Sequence, residues 1–133
     1  MKTKTHITNV SDATQQVTVT LDARISEQAQ VFQNIAMENV IDMEEPISRE
    51  SPYLTFVAVE SACMSGAFLA RRKMGVKGVA VDLIFCSATG TVENAEPFAV
   101  ATMIGICEAL ADSCRFNEDE MCGWHLVSVE RQF

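Results

Sequence analysis

The 133-residue sequence lacks the motifs that mark most enzyme active sites. It contains no P-loop, no glycine pattern of a dinucleotide-binding fold, no His-Glu zinc motif and no Gly-x-Ser-x-Gly nucleophile elbow. Residues 61–66, SACMSG, are not such an elbow. Histidine is rare, with two residues, and no pair of cysteines has the short repeated spacing of a zinc site. We therefore predict no cofactor and no bound metal.

Glycine and proline are scarce, with six and three residues, and no repeat or low-complexity segment occurs, so we expect no long disordered stretch. The N-terminal lysines are not followed by the apolar segment of a secretory signal. No apolar run reaches the ~20 residues of a membrane span. These features predict a cytoplasmic protein without membrane contact. The length predicts a single domain, residues 1–133, which can bury roughly two thirds of its unfolded surface.

Positive charge is in short supply. Ten lysines and arginines stand against eighteen acidic residues, which gives a net charge of −8. Such a charge repels phosphate backbones and disfavours nucleic acid as a partner. A local basic patch at Arg71, Arg72, Lys73 and Lys77 is the only candidate for such a contact.

The five cysteines, at positions 63, 86, 107, 114 and 122, are odd in number. Disulfides belong to oxidising compartments, so we expect free thiols in a reducing cytoplasm. Cys63, Cys86 and Cys107 lie in apolar runs, where a thiol behaves as a small hydrophobic group. Cys114 and Cys122 flank an acidic loop and are expected to be the most exposed.

Alternating polarity predicts strands in the first part of the chain. Gln16–Arg24 places two valines and a leucine at alternate positions, as in a half-buried strand. Lys4–Val10 predicts a weaker, more polar strand, expected at a sheet edge. Val31–Ile41 fits a helical stripe about as well as an irregular strand, and its periodicity does not decide between them.

A long helix is predicted next, with Ser51 as its N-cap, Pro52 at its first position and Gly75 as its terminator. Small residues at positions 61, 62, 65 and 66 allow a close approach to a neighbouring element. The apolar face has helical spacing and consists of Tyr53, Phe56, Val57, Cys63, Met64, Ala67 and Phe68.

Three further elements complete the chain. Gly78–Cys86 is apolar on nearly both faces, which predicts a central strand. Phe98–Ala111 predicts a deeply buried helix capped by Asn94. Trp124–Arg131 predicts a closing strand with Trp124 and Leu126 directed inward, and Val127 and Val129 are further candidates for the inward face. The sum is an α+β fold of order β-β-β-α-β-α-β, a two-layer sandwich with two helices on one face of a mixed sheet.

The order and length of these elements resemble domain IV of elongation factor G, the translocation GTPase. The matching pieces lie within residues 17–110 and are Val17–Leu21, Phe32–Ile35, Ala58–Glu60, Val79–Leu83, Ala88–Thr91, Val92–Glu96 and Glu108–Leu110. The resemblance implies that Val31–Ile41 is a strand. It also implies a left-handed β-α-β crossover, an exception to the right-handed rule, and a ribosome- or RNA-associated role.

The functional residues of that family do not carry over. Its first tip loop is basic and rich in glycine, whereas Thr8–Gln16 has no glycine, arginine or aromatic residue. Its second tip loop contains tyrosine and histidine, whereas Ser87–Asn94 retains Gly90 alone. The sequence also contains no GTPase domain. The resemblance therefore concerns the fold.

Four residues are candidates for chemistry. Glu60 and Asp82 lie in largely apolar segments and would form a carboxylate pair if both pointed inward, where burial raises a pKa. Cys86 and His125 would form a nucleophile and base if the fold joined them. The competing interpretations are a solvent-facing or arginine-paired carboxylate, a core thiol and a structural histidine.

Three functions remain open. The missing motifs and the large apolar fraction favour a small, non-enzymatic binding or assembly domain that self-associates, through the polar first strand or the closing strand. The resemblance implies a ribosome- or RNA-associated domain, although fold is weak evidence for function. A pocket that joined Glu60, Asp82 or Cys86 would indicate a small-molecule binder or an enzyme.

Overall fold

The architecture was obtained from a computed structural model of the protein. The structure describes residues 1–27, 31–35, 41–43, 56–90, 92, 94–111 and 114–132, with the backbone alone for 31–35, 41–43 and 56. The predicted helix start at Ser51 and Pro52 lies outside these residues.

The described elements form an α+β fold, as the sequence predicts. In chain order they are β1 Lys2–Asn9, β2 Gln16–Ser26, β3 Val31–Ile35, β4 Ile41–Met43, α1 Phe56–Met74, β5 Gly78–Thr89, α2 Glu96–Leu110, α3 Glu118–Met121 and β6 Trp124–Gln132. The short strand β4 and the one-turn helix α3 add to the predicted order. The segment Val31–Ile35 is a strand, so the ambiguity is settled there.

The sheet is mixed, with the strand order β3-β5-β2-β1-β6 and with β4 also beside β5. Strands β3 and β4 run parallel to β5, and the other pairs are antiparallel. Strand β5 is interior, as predicted. The prediction that the first strand lies at an edge is wrong, because β1 pairs with both β2 and β6. Among the described strands, β6 lies at the edge next to β1.

The polarity of β1 has a packing explanation. Thr3 and Thr5 are fully buried and face helix α2, where the Thr3 hydroxyl donates a hydrogen bond to the Gly105 carbonyl oxygen at 2.9 Å. A Cβ on Gly105 would lie 2.9 Å from the Thr5 hydroxyl oxygen. The two threonines therefore lie at a close contact between α2 and the sheet. This contact explains why β1 is interior although its sequence is polar.

A β-bulge interrupts the alternation of β5. Leu21 of β2 pairs with Leu83, but the preceding residue Thr20 pairs with Phe85, so Ile84 is the extra residue. Beyond the bulge the phase shifts, and the core-facing positions become Cys86 and Ala88, both fully buried. An extra residue in one strand reverses which side chains face inward.

Both long helices cover one face of the sheet. Helix α2 lies over β1 and β2, while α1 packs beside it and over β3 and β5. Eleven of the fifteen residues of α2 are buried, which confirms the predicted deep burial. Its N-cap is Ala95, and Asn94 contributes by accepting a hydrogen bond from the Glu96 backbone N–H at 3.0 Å.

Helix α1 ends as the sequence predicts. Gly75 adopts a positive φ of 68°, and its N–H bonds the Arg71 carbonyl oxygen, the arrangement for which glycine is favoured. The inward residues of α1 are Val59, Cys63, Ala67 and Ala70. Among the described helices, none is long and apolar enough to cross a membrane.

Candidate functional site: the outer face of helix α1

The two candidate carboxylates do not form a buried pair. Glu60 is exposed on α1 and Asp82 is exposed on β5. Leu83 faces the helices, so its neighbour Asp82 points to the opposite face of the sheet. There it pairs across the strands with Asp22. The sheet therefore separates Asp82 from Glu60.

The candidate nucleophile Cys86 belongs to the core. It is fully buried beside Cys63 of α1, and the hydrogen bond with Cys63 together with burial raises the pKa of the Cys86 thiol. Thr102 of α2 reaches the same cluster, although within the described part of the chain its hydroxyl has no hydrogen-bond partner of good geometry. The same hydrogen bond lowers the pKa of the Cys63 thiol, but both thiols are fully buried. Neither is accessible to a substrate, so this cluster is a packing feature.

His125 is far from Cys86. It is exposed on the edge strand β6, and β1 and β2 separate that strand from β5. Three strand spacings amount to about 14 Å. The structure therefore brings no Cys–His pair together at these positions.

A second pair of thiols lies near the end of α2. Cys107 is buried and Cys114 is half-buried, and burial and a hydrogen bond with Cys114 raise the pKa of the Cys107 thiol. With Cys122 exposed, the predicted burial order of the five cysteines is confirmed. No group of three metal-ligating side chains occurs among the described residues.

The loops that the resemblance equates with tip loops meet each other. The Thr89 hydroxyl lies 3.4 Å from the Thr14 carbonyl oxygen, and a Cβ on Gly90 would lie 2.4 Å from the same oxygen. A small cavity of about 180 Å³ lies beside them. Asn9 lines this cavity, and its side-chain oxygen accepts hydrogen bonds from the neighbouring backbone N–H groups of Ser11 and Asp12.

The predicted basic patch is largely occupied by local contacts. The Lys73 ammonium pairs with the Glu120 carboxylate at 2.7 Å and lies 5.1 Å from the Phe116 ring centroid. The Arg71 Nε donates to the Lys77 carbonyl oxygen at 2.7 Å. Arg72 and Lys77 remain exposed, which is a small basic surface on an acidic protein.

The outer face of α1 is unusual for a helix on a protein surface. Val57, Phe68 and Leu69 are 69%, 48% and 43% exposed. Serines at positions 61 and 65 are exposed between them, and Met64 is half-buried. We call Val57, Ser61, Met64, Ser65, Phe68 and Leu69 the α1 stripe. It is an apolar face with two small-residue gaps, on the side of the helix away from the core.

The apolar face predicted for this helix combines residues that lie on two different sides of it. Cys63 and Ala67 face the core, whereas Val57 and Phe68 are exposed. The error arose because apolar residues surround the helix, so composition did not distinguish its inner side. The small residues point both ways as well: Gly66 is buried and Ser65 is exposed.

The charges of α1 differ from those of the whole protein. The helix carries Glu60 near its start and Arg71, Arg72 and Lys73 in its last turn. Because Lys73 is paired with Glu120, one carboxylate stands against Arg71 and Arg72, which leaves this helix locally positive in a chain of net charge −8. Its two ends are therefore of opposite sign.

Comparison of the chain with protein-family models, with curated proteins and with solved structures gave no match.

Proposed function

We propose that this protein is a small cytoplasmic assembly domain without enzymatic activity, which forms a dimer by packing the α1 stripe against a second copy. The observation that carries the proposal is the exposure of Val57, Phe68 and Leu69 on one helix face. Contiguous apolar patches on soluble proteins mark interaction surfaces. The separation of Glu60, Asp82 and Cys86 described above weighs against a shared catalytic pocket.

The stripe is complementary to itself. A two-fold axis passing between Met64 and Ser65 runs two α1 helices antiparallel, as isologous contacts require. Ser61 then lies opposite Phe68 of the second copy, so a small residue receives a large one. The same symmetry places Met64 opposite Ser65, which repeats the pairing of large with small.

Charge supports the same arrangement. In the antiparallel pair the same axis places Glu60 opposite Leu69 and Arg72 opposite Val57, so the acidic start of one α1 lies within one turn of the basic end of the other. Opposite potentials that face each other favour the correct partner and register. This local pairing of opposite charges offsets part of the repulsion between two chains of net charge −8.

The size of the stripe sets the expected strength. Helix α1 has 19 residues and is therefore about 28 Å long. One helix–helix contact of that length buries less than the ~1,200 Å² of a standard interface. We therefore expect a reversible dimer with a Kd on the order of 10 µM.

Substitution of the largest exposed side chain tests the proposal. Phe68→Glu places a charge in the stripe, opposite Ser61 of the second copy, and should shift the protein to monomer in sedimentation velocity, with its circular dichroism unchanged. Val127→Glu is the matched control, since Val127 is an exposed apolar residue on β6. If Val127→Glu dissociates the dimer and Phe68→Glu does not, the interface lies on β6 and the proposal is wrong.

A cross-link tests the register. Ser65→Cys in a Cys122→Ser background should form a disulfide-linked dimer under mild oxidation, because position 65 lies beside the proposed two-fold axis. Ser128→Cys, in the same background, is an equally exposed site on β6 and should stay monomeric. Equal cross-linking of both variants would indicate random collision and would contradict the register.

A second proposal, a ribosome- or RNA-associated role, is supported by the contact of the two tip-loop equivalents at Thr14 and Gly90. Binding would then show as co-sedimentation with ribosomes at low salt that high salt abolishes. The acidic charge and the loss of basic residues from these loops favour the assembly role. Absence of co-sedimentation at low salt would end this second proposal.

A further inference from the structure

Strand β6 offers a second surface, away from the α1 stripe. It is the terminal strand in the order of the sheet, and in the part of the chain that the structure describes only β1 pairs with it. One side of its backbone therefore presents unpaired N–H and C=O groups, the template for strand addition. Leu126 pairs with the buried Ile7 of β1 and therefore faces the helix side of the sheet, as predicted. At the edge of the sheet its side chain stays 44% exposed, and Val127 is 54% exposed.

A groove adjoins this edge. It has a volume of about 590 Å³ and lies between β6, the segment around α3 and the end of β1. We call it the β6 groove. Its apolar wall consists of Val10, Phe116, Met121, Trp124 and Leu126. A side chain from an added strand would enter it and be removed from water, since pockets for alternate side chains accompany strand addition.

The rim of the groove is acidic. Glu118 and Asp119 line it and are exposed, whereas the nearby Glu120 is neutralised by Lys73 at 2.7 Å. A second copy of this chain would bring the same two carboxylates to the contact, and like charges repel. A basic partner instead finds opposite charge. Charge complementarity therefore selects the occupant.

We propose that the β6 groove binds an extended peptide that adds a strand to β6, inserts an apolar side chain beside Trp124 and places lysine or arginine against Glu118 and Asp119. The backbone of β6 supplies affinity that does not depend on sequence, and the groove and its rim select the side chains. This surface does not require the dimer, so the two proposals stand or fall separately.

Fluorescence polarisation with a labelled peptide, Lys-Val-Lys-Leu-Lys-Val-Lys, tests this surface. We expect saturable binding by the full chain that weakens at high salt. A peptide of equal charge with proline in place of both valines cannot donate those backbone hydrogen bonds and should bind much more weakly. Equal binding of both peptides would mean unspecific charge attraction and would overturn the proposal.

Two charge reversals locate the site. The double variant Glu118→Lys and Asp119→Lys should raise the Kd about tenfold or more, because two attractive contacts become repulsive. Glu27→Lys is the control, since Glu27 is exposed and follows the far end of β2, away from the groove. If the double variant and Glu27→Lys raised the Kd equally, or if neither changed it, the assignment of the peptide site to the β6 groove would be contradicted.

Discussion

Gly66 of α1 lies against the backbone of Ala99 in α2, so close that a Cβ atom on Gly66 would stand 2.3 Å from the Ala99 carbonyl oxygen. Cβ atoms do not approach backbone oxygens to this distance without a shift of the helices. The contact brings α1 close to α2 and thereby fixes which face of α1 remains outside. The α1 stripe is the consequence of this approach.

Gly66→Ala should destabilise the fold by about 2–3 kcal/mol, since it forces two packed backbones apart. Gly75→Ala is the matched control, because a Cβ there meets nothing within 4 Å and only the positive φ of 68° is strained. We expect that change to cost about 1 kcal/mol. Urea unfolding measures both. Equal losses would mean that the helices have room to separate.

Thr5→Val should raise the free energy of unfolding by about 1 kcal/mol, because the buried Thr5 hydroxyl has no hydrogen-bond partner among the described residues and valine has the same shape. Thr3→Val should lower it by a similar amount, since Thr3 donates to the Gly105 carbonyl oxygen. The two residues are equally buried on one strand. Thermal and urea unfolding of both variants should therefore show effects of opposite sign.

The fold class followed from the sequence because helical and strand periods are local signals. The order of strands did not follow, since it depends on contacts between distant segments. Thr3 and Thr5 made β1 look like an edge strand, because the sequence does not show that Gly105 of α2 packs against these two threonines. The bulge at Ile84 was hidden for a similar reason: one extra residue changes the phase only when its partner strand is known.

The candidate site was less accessible to sequence reasoning than the fold. Glu60, Asp82, Cys86 and His125 were singled out by residue type, and their distances depend on tertiary structure. The α1 stripe was within reach of the sequence, since a helix with serines among outward valine and phenylalanine residues is atypical of a surface helix. The sequence did not indicate which face of α1 packs against α2 and which face remains exposed.

Cys122 should be slow to alkylate although it is exposed. Partial burial, followed by contact with Glu96, raises the pKa of the Cys122 thiol from 9.0 to about 11. The thiolate fraction at neutral pH is then about 100-fold lower than for an ordinary thiol. Glu96→Gln should speed iodoacetamide alkylation of this residue, followed by mass spectrometry. An unchanged rate would show that the carboxylate does not act on the thiol.

Cys122 also adopts a positive φ of 54° after α3. Glycine holds this conformation without the steric cost that a Cβ brings, so Cys122→Gly should leave the fold intact or stabilise it slightly.

Glu120 should contribute a pH-dependent part of the stability. The ion pair with Lys73, together with the Asn117 backbone N–H, lowers the pKa of the Glu120 carboxyl below its usual 4.5. Its contribution is therefore present above that value and is lost as the pH falls through the lower pKa of the folded state. Glu120→Gln should destabilise by about 0.5 kcal/mol at neutral pH and progressively less in acid. Glu118→Gln, on the same turn, removes one negative charge without breaking the Lys73 pair and is the control.

The mass of the unmodified protein in solution distinguishes a dimer from a monomer. Light scattering measures it across a concentration series from about 5 to about 200 µM, which brackets the expected Kd. We expect a rise from 14.6 kDa toward twice that mass, and loss of the rise in Phe68→Glu. A mass of 14.6 kDa at every concentration would contradict the proposed dimer.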